Sequence, residues 1–247
     1  MKMMVNHTIL FFCTKINVVG GHFQIMGVIV VNTKTYEEGT GKNAVSLAHI
    51  MEQVGEEYGV QMVIAVQPCD VYRVAQQTSI PVFSQHMDAI SYGSNTGWTL
   101  PHAIKEAGGA GTLLNHSEHR MKLEDIAQAR ASAKSLGMKV IICASDVPIT
   151  RAVASLNPEY VAIEPPELIG GDISVTSAQP DIVRDAVDAV RGVNPDVAVL
   201  CGAGIKNGKD VAKAAELGAQ GILVASGVVK ARDQASILAE MAKAMVP

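Results

Sequence analysis

A chain of 247 residues, 48% hydrophobic and 18% charged, holds enough apolar side chain for one large core. Its net charge of −4 and its lack of any block of consecutive Lys and Arg exclude a nucleic-acid or anionic-membrane surface, and no apolar run approaches the ~18 residues of a membrane span. Cys13, Cys69, Cys143 and Cys201 form no CxxC pair, which argues against structural zinc and against a secreted disulfide framework; reduced thiols in a cytoplasmic protein are the expectation.

Residues 1–25 are patterned unlike the rest. Ile9 to Cys13 is apolar but short, and Lys15 and Asn17 interrupt the chain just beyond it, so the ~7 to 15 apolar residues of a signal-peptide core are not there. The expectation is an N-terminal extension, residues 1–25, with Met26 as the natural start. The alternative is an arm that packs on the body.

From Gly27 a short β-branched or apolar run, a polar turn and a helix-period segment recur. The runs predict strands over Val28–Asn32, Met62–Val66, Val82–Gln85, Thr112–Asn115, Lys139–Cys143, Tyr160–Glu164, Ala198–Cys201 and Gly221–Val224. Helical periods fall between them, for example Ala44–Tyr58, Glu124–Ser135, Pro180–Val193 and Lys209–Leu217, with Gly59, Gly137 and Gly218 as stops. Strands alternating with helices call for parallel βαβ units. Such units close naturally into one α/β domain, a (β/α)₈ barrel over residues 26–247, although a doubly wound open sheet would alternate similarly.

A barrel collects the residues that end its strands on one face, and those residues carry the chemistry. Asn32-Thr33-Lys34 closes the first strand; its lysine is either a solvated loop residue or an ammonium for an anionic substrate and for developing negative charge. Asn115-His116-Ser117-Glu118-His119-Arg120 follows the fourth. His116 could hydrogen-bond a substrate oxygen or sit satisfied in the core, and no third ligand cluster supports a metal.

Glu164 ends the sixth strand directly before Pro165-Pro166, with Gly170-Gly171 beyond, which suits a general base under a loop able to close. Cys201-Gly202-Ala203-Gly204-Ile205 and Val224-Ala225-Ser226-Gly227 follow the seventh and eighth strands. Small residues there let backbone N–H groups approach a phosphate, although tight helix–strand packing would select them too.

In this order and at these strand ends the motifs resemble the triosephosphate isomerase family, from about Gly27 to the C-terminus. The carrying residues are Asn32-Thr33-Lys34, His116-Ser117-Glu118, Glu164-Pro165 with Ile169-Gly170, and the turns at Gly204 and Ala225-Ser226. The resemblance implies interconversion of dihydroxyacetone phosphate and D-glyceraldehyde 3-phosphate in glycolysis and gluconeogenesis, without metal or organic cofactor. By the family's own assignments Glu164 is the base, neutral His116 the electrophile, Lys34 the stabiliser of the enediolate and Asn32 a substrate-orienting group. Phosphate would be held near Ile169, Gly170, Gly204, Ala225 and Ser226, and Cys143 would pack near the base.

Departures from the family pattern are Thr33, where an aromatic is usual and looser packing under Lys34 is expected, and the short stretches after His116 and between Cys143 and Glu164. That shortness, with helices truncated around the fifth unit, is similar to the archaeal form and implies a homotetramer, with a dimer as runner-up. Two other readings stay open: a different sugar-phosphate barrel enzyme, such as an indole-glycerol-phosphate synthase or a pentose-phosphate epimerase, and a barrel that binds sugar phosphate without turnover.

Overall fold

The structure, a computed structural model, describes residues 17–19, 22–24, 27–165, 176 and 180–246. Eight parallel strands close on themselves: β1 (Val28–Asn32), β2 (Gln61–Val66), β3 (Val82–Ser84), β4 (Gly111–Leu114), β5 (Lys139–Ala144), β6 (Tyr160–Ile163), β7 (Ala198–Cys201) and β8 (Gly221–Val224). Closure comes from β8 lying beside β1, with Gly221 opposite Val28 and Val224 opposite Val31. The barrel reading thus holds over the open-sheet alternative. Before it, Asn17–Val19 and His22–Gln24 form an antiparallel pair within the expected N-terminal extension.

Alternation along each strand builds two cores. Val28 and Val30 of β1 point into the barrel with Val63, Ala65, Phe83, Leu113, Ile141, Ala162, Leu200 and Leu223, whereas Ile29 and Val31 point outward under the helices. Both faces are buried, which is why the strands read as continuous apolar runs. Phe83 fills part of the interior because Gly111 on the next strand has no side chain; a Cβ there would lie 2.5 Å from the Phe83 ring.

The outer layer comprises α1 (Lys42–Tyr58), α2 (Val71–Ala75), α3 (Pro101–Glu106), α4 (Leu123–Ser135), α5 (Val147–Ala154), α6 (Pro180–Arg191), α7 (Gly208–Glu216), α8 (Ser226–Val229) and α9 (Gln234–Met245). Gly59, Gly137 and Gly218 all have positive φ (66°, 67° and 94°), the left-handed stops their positions suggested. The fifth unit is short: α5 has only eight residues, started by Asp146, whose carboxylate accepts the Ile149 N–H at 2.8 Å. No helix among the described residues is long and apolar enough to cross a membrane.

Candidate active site

One pocket at the C-terminal mouth of the barrel is lined by Asn32, Lys34, His116, Glu164, Gly204, Ala225 and Ser226, together with Tyr36, Gly202, Lys206 and Gly227. The first seven are residues that the sequence motifs single out; Ile169 and Gly170 lie outside the described residues. No group of three His, Cys, Asp or Glu side chains among the described residues is placed to hold a metal ion.

Lys34 owes its position to an abrupt turn out of β1. Its φ is 48°, in the left-handed region, and its N–H donates to the Asn32 side-chain oxygen at 3.0 Å. Its ammonium meets Glu118 Oε1 at 2.7 Å. Thr33 is fully buried, and its hydroxyl donates to the Ala65 carbonyl at 3.2 Å. The Gln85 amide donates to Thr33 Oγ1, the Lys34 carbonyl and the Ala65 carbonyl at 3.1, 2.9 and 3.2 Å. The seat under Lys34 is therefore a hydrogen-bonded clamp. The looseness expected of a threonine in place of an aromatic is made up by polar contacts.

His116 is set by Asn115, which takes a left-handed φ of 58° that asparagine tolerates better than most residues. The Asn115 side chain donates to the Cys143 carbonyl at 2.9 Å and accepts the Met121 N–H at 3.0 Å, so it locks β4 to β5 and fixes the turn. Arg120 adds a bond to the Asn115 carbonyl at 3.1 Å. His116 Nδ1 accepts the Glu118 N–H at 3.2 Å. An acceptor nitrogen carries no proton, so the ring is neutral with its N–H at Nε2. Burial, and then the Lys34 charge, hold its pKa down to about 4, against an opposing pull from Glu118.

Glu164 follows β6, and its N–H donates to the Ala144 carbonyl at 2.8 Å. The residue is 4% exposed, and its Oε2 has no hydrogen-bond partner. Oε1 lies 3.6 Å from His116 Nε2. Desolvation pushes the Glu164 carboxyl up to about 7, although the adjacent Cys143 thiol and the Lys34 and Arg120 charges pull the other way. With His116 held neutral at that pH, the contact is not an ion pair. Burial and Glu164 also push the Cys143 thiol well above its ordinary range, which leaves it an inert packing group.

Gly202, which the sequence motif offers only as part of a phosphate turn, shapes this seat as well. A Cβ there would stand 2.4 Å from Glu164 Cγ, so the carboxylate occupies space that only glycine leaves free. Its N–H donates to the Ile163 carbonyl at 3.0 Å and keeps β7 against the end of β6.

The opposite wall has a different character. Gly204 turns with φ of 69°, and Ala225, Ser226 and Gly227 begin α8, whose first N–H groups have no preceding turn to bond. Asp210 Oδ2 accepts the Lys206 N–H at 3.0 Å and fixes the β7 turn to the start of α7. Both turns line the pocket, and backbone N–H groups at small-residue turns of this kind are a setting for an anion.

The family model described as "Triosephosphate isomerase" matches residues 27–242. Proteins carrying that same name are similar over nearly their whole length. The one from Methanosarcina mazei is 51% identical over 213 residues, covering 86% of this chain and 96% of the relative. The one from Methanothermus fervidus is 50% identical over 214 residues (87% and 96%), and that from Methanocaldococcus jannaschii 47% identical over 216 (87% and 99%).

Proposed function

Since the chain belongs to the triosephosphate isomerase family and is an enzyme interconverting dihydroxyacetone phosphate and D-glyceraldehyde 3-phosphate, we propose that Glu164 and His116 carry its proton transfers. The observation supporting this is the buried Glu164 carboxylate, with one oxygen unpartnered and the other 3.6 Å from His116 Nε2. Ionised Glu164 takes the proton from the carbon beside the ketone. The C–H electron pair becomes the enediolate double bond, and charge moves to the carbonyl oxygen. His116 Nε2–H hydrogen-bonds that oxygen and shuttles a proton between the two oxygens, and Glu164 returns its proton to the neighbouring carbon. A carboxyl titrating near 7 suits a base at neutral pH, and a neutral imidazole is a donor without being a fixed charge.

Lys34 stabilises the enediolate and attracts the dianionic substrate, with Glu118 and the Gln85 clamp holding it in register. Asn32 orients a substrate oxygen. The phosphate rests on backbone N–H groups near Gly204, Ala225 and Ser226; the further contacts proposed for Ile169 and Gly170 belong to residues outside the described set. Closure over the site would protect the enediolate from losing phosphate to water. No step requires a metal or organic cofactor.

The test pairs a coupled assay on D-glyceraldehyde 3-phosphate with calorimetric titration of phosphoglycolate. Glu164→Asp should lose turnover and keep phosphoglycolate affinity, because it retracts the base by one methylene and leaves the anion site untouched. A parallel loss of affinity would remove Glu164 from the role of base.

The proposed setting is cytoplasmic, in glycolysis and gluconeogenesis, as a homotetramer in preference to a dimer. Leu123 and Ile149, at the starts of α4 and α5, are 52% and 39% exposed beside the shortened fifth unit, and Tyr92 and Trp98 stand out from the β3 loop at 72% and 59%. Apolar side chains so placed suit burial against other copies. Sedimentation velocity distinguishes a tetramer from a dimer. Residues 1–25 are proposed to be dispensable, and a chain beginning at Met26 should turn over like the full chain.

A further inference from the structure

Tyr36 lines the pocket yet lies outside every motif that pointed to the site. It stands two residues beyond Lys34, and the intervening chain is a tight turn: the Tyr36 N–H donates to the Thr33 carbonyl at 3.3 Å. Its own carbonyl accepts the Gly39 N–H at 3.0 Å and the Thr40 hydroxyl at 2.8 Å, so its backbone is pinned on both sides. The Tyr36 ring is covered by the Lys230 ammonium, 4.2 Å from its centroid. Lys230 directly follows α8, whose opposite end presents Ser226 and Gly227 to the same pocket.

A second observation joins the same two segments. Gly39 lets the β1 loop close on α8, because a Cβ at that position would lie 2.7 Å from Thr33 Cβ and 3.1 Å from Val229 Cγ1. The loop holding the Lys34 ammonium and the helix whose first residues line the pocket are therefore packed as one unit. The Tyr36–Lys230 contact closes it at the rim.

We propose that Tyr36, capped by Lys230, is a positioning residue for the phosphate of the triose. The ring walls the pocket beside the α8 N-terminus, and the cation on its outer face holds it there and adds positive potential for a dianion. This rests on the reading of the β7 and β8 turns as the phosphate site, and the experiment separates the two.

The measurement is calorimetric affinity for phosphoglycolate, with kcat and KM on D-glyceraldehyde 3-phosphate, for the full chain and its variants. Tyr36→Ala should weaken phosphoglycolate and raise KM about tenfold while kcat moves less than about twofold, and Tyr36→Phe, which keeps the ring, should restore most of the affinity. Lys230→Met, on an exposed side chain that the fold does not need, should weaken phosphoglycolate about threefold and flatten its salt dependence. In the double variant Tyr36→Ala/Lys230→Met the lysine should cost less than it does in the parent, because only its long-range potential remains once its partner ring is gone.

Unchanged affinity in Lys230→Met, or full additivity in the double variant, overturns the proposal, as does a loss in Tyr36→Ala confined to kcat. Ser226→Asp, which sets a carboxylate against the anion site, is the control for the underlying reading. If it leaves phosphoglycolate affinity intact, the phosphate site lies elsewhere whatever Tyr36 does. If it abolishes binding while Lys230→Met leaves affinity unchanged, the phosphate site stands and the Tyr36–Lys230 inference alone fails.

Discussion

The two walls of the pocket solve different chemical problems with different materials. Across the β4 and β6 ends, two ionisable side chains are buried so that their pKa values cross, Glu164 rising to about 7 and His116 falling to about 4. Across the β7 and β8 ends, the pocket is lined by small residues, Gly204, Ala225 and Ser226, whose backbone N–H groups are the proposed donors to the phosphate. A proton acceptor must be one atom at one place, and it depends on the environment of a single side chain. An anion held by several peptide dipoles depends on chain path, and the side chains present need only be small.

The proton wall should therefore break hardest under the smallest change. Removing the proposed base in Glu164→Gln should lower kcat by about 10³-fold or more, within the reach of general base catalysis plus lost charge alignment, while phosphoglycolate still binds in calorimetry. The same variant tests the electrostatics through stability. A carboxyl raised from 4.5 to about 7 contributes stability that is fully present below the lower value and lost as pH rises through the upper one. Ionised Glu164 thus costs on the order of 3 kcal/mol above pH 7. Glu164→Gln should melt above the parent at pH 8, with the gap closing near pH 5. A lower melting temperature at pH 8 would mean that the carboxylate is better solvated than its surroundings indicate.

Next in size is Gly202→Ala. The added methyl needs the space of Glu164 Cγ, 2.4 Å away, so the base must shift. A displacement of about 1 Å in a reacting group costs about 10²-fold, and kcat should fall by that order with little change in phosphoglycolate affinity. If affinity falls as far as kcat, the β7 turn belongs to the phosphate wall alone, and the division between the walls fails.

A milder change comes from pH. If Glu164 is the base it is active when ionised, so kcat/KM should drop toward tenfold per unit as pH falls below about 7, read above pH ~6 where at least about half of the substrate phosphate is dianionic. His116 should contribute no limb in that range, since it stays neutral until about 4. A second acidic limb between pH 6 and 7 that disappears in His116→Gln would show the imidazole to be charged at work.

The walls also differ in how far the sequence discloses them. Lys34, His116 and Glu164 are legible because each is a lone chemical group ending an apolar run, and a parallel barrel sends all such ends to one face. The strand bounds come from the same runs, with β4 beginning at Gly111 and Glu164 falling just past β6. Gly202 is visible as part of Cys201-Gly202-Ala203-Gly204 but misleads, since it reads as a phosphate turn. Its tie to Glu164 exists only because Ile163 on β6 lies opposite Cys201 on β7. Gln85 and Tyr36 carry no local signature at all. Their partners, Thr33 and Ala65 for one and Lys230 for the other, stand 52, 20 and 194 positions away, joined by the pairing of β1, β2 and β3 in the first case and by the closure of β8 on β1 in the second.

The smallest expected effect is the sharpest test of the contrast. Ser226 opens α8, where its hydroxyl could be the phosphate ligand or its backbone N–H could be. If the dipoles of the helix start hold the anion, Ser226→Ala keeps every donor that matters, because alanine has the same N–H and still fits the first helical position. KM and phosphoglycolate affinity should then change less than about threefold, the scale of one exposed neutral hydrogen bond, and kcat should not move. A loss of tenfold or more would place a side-chain hydroxyl on the phosphate. The second wall would then resemble the first, built from one chemical group at one position, and the tolerance for small residues there would be a matter of packing alone.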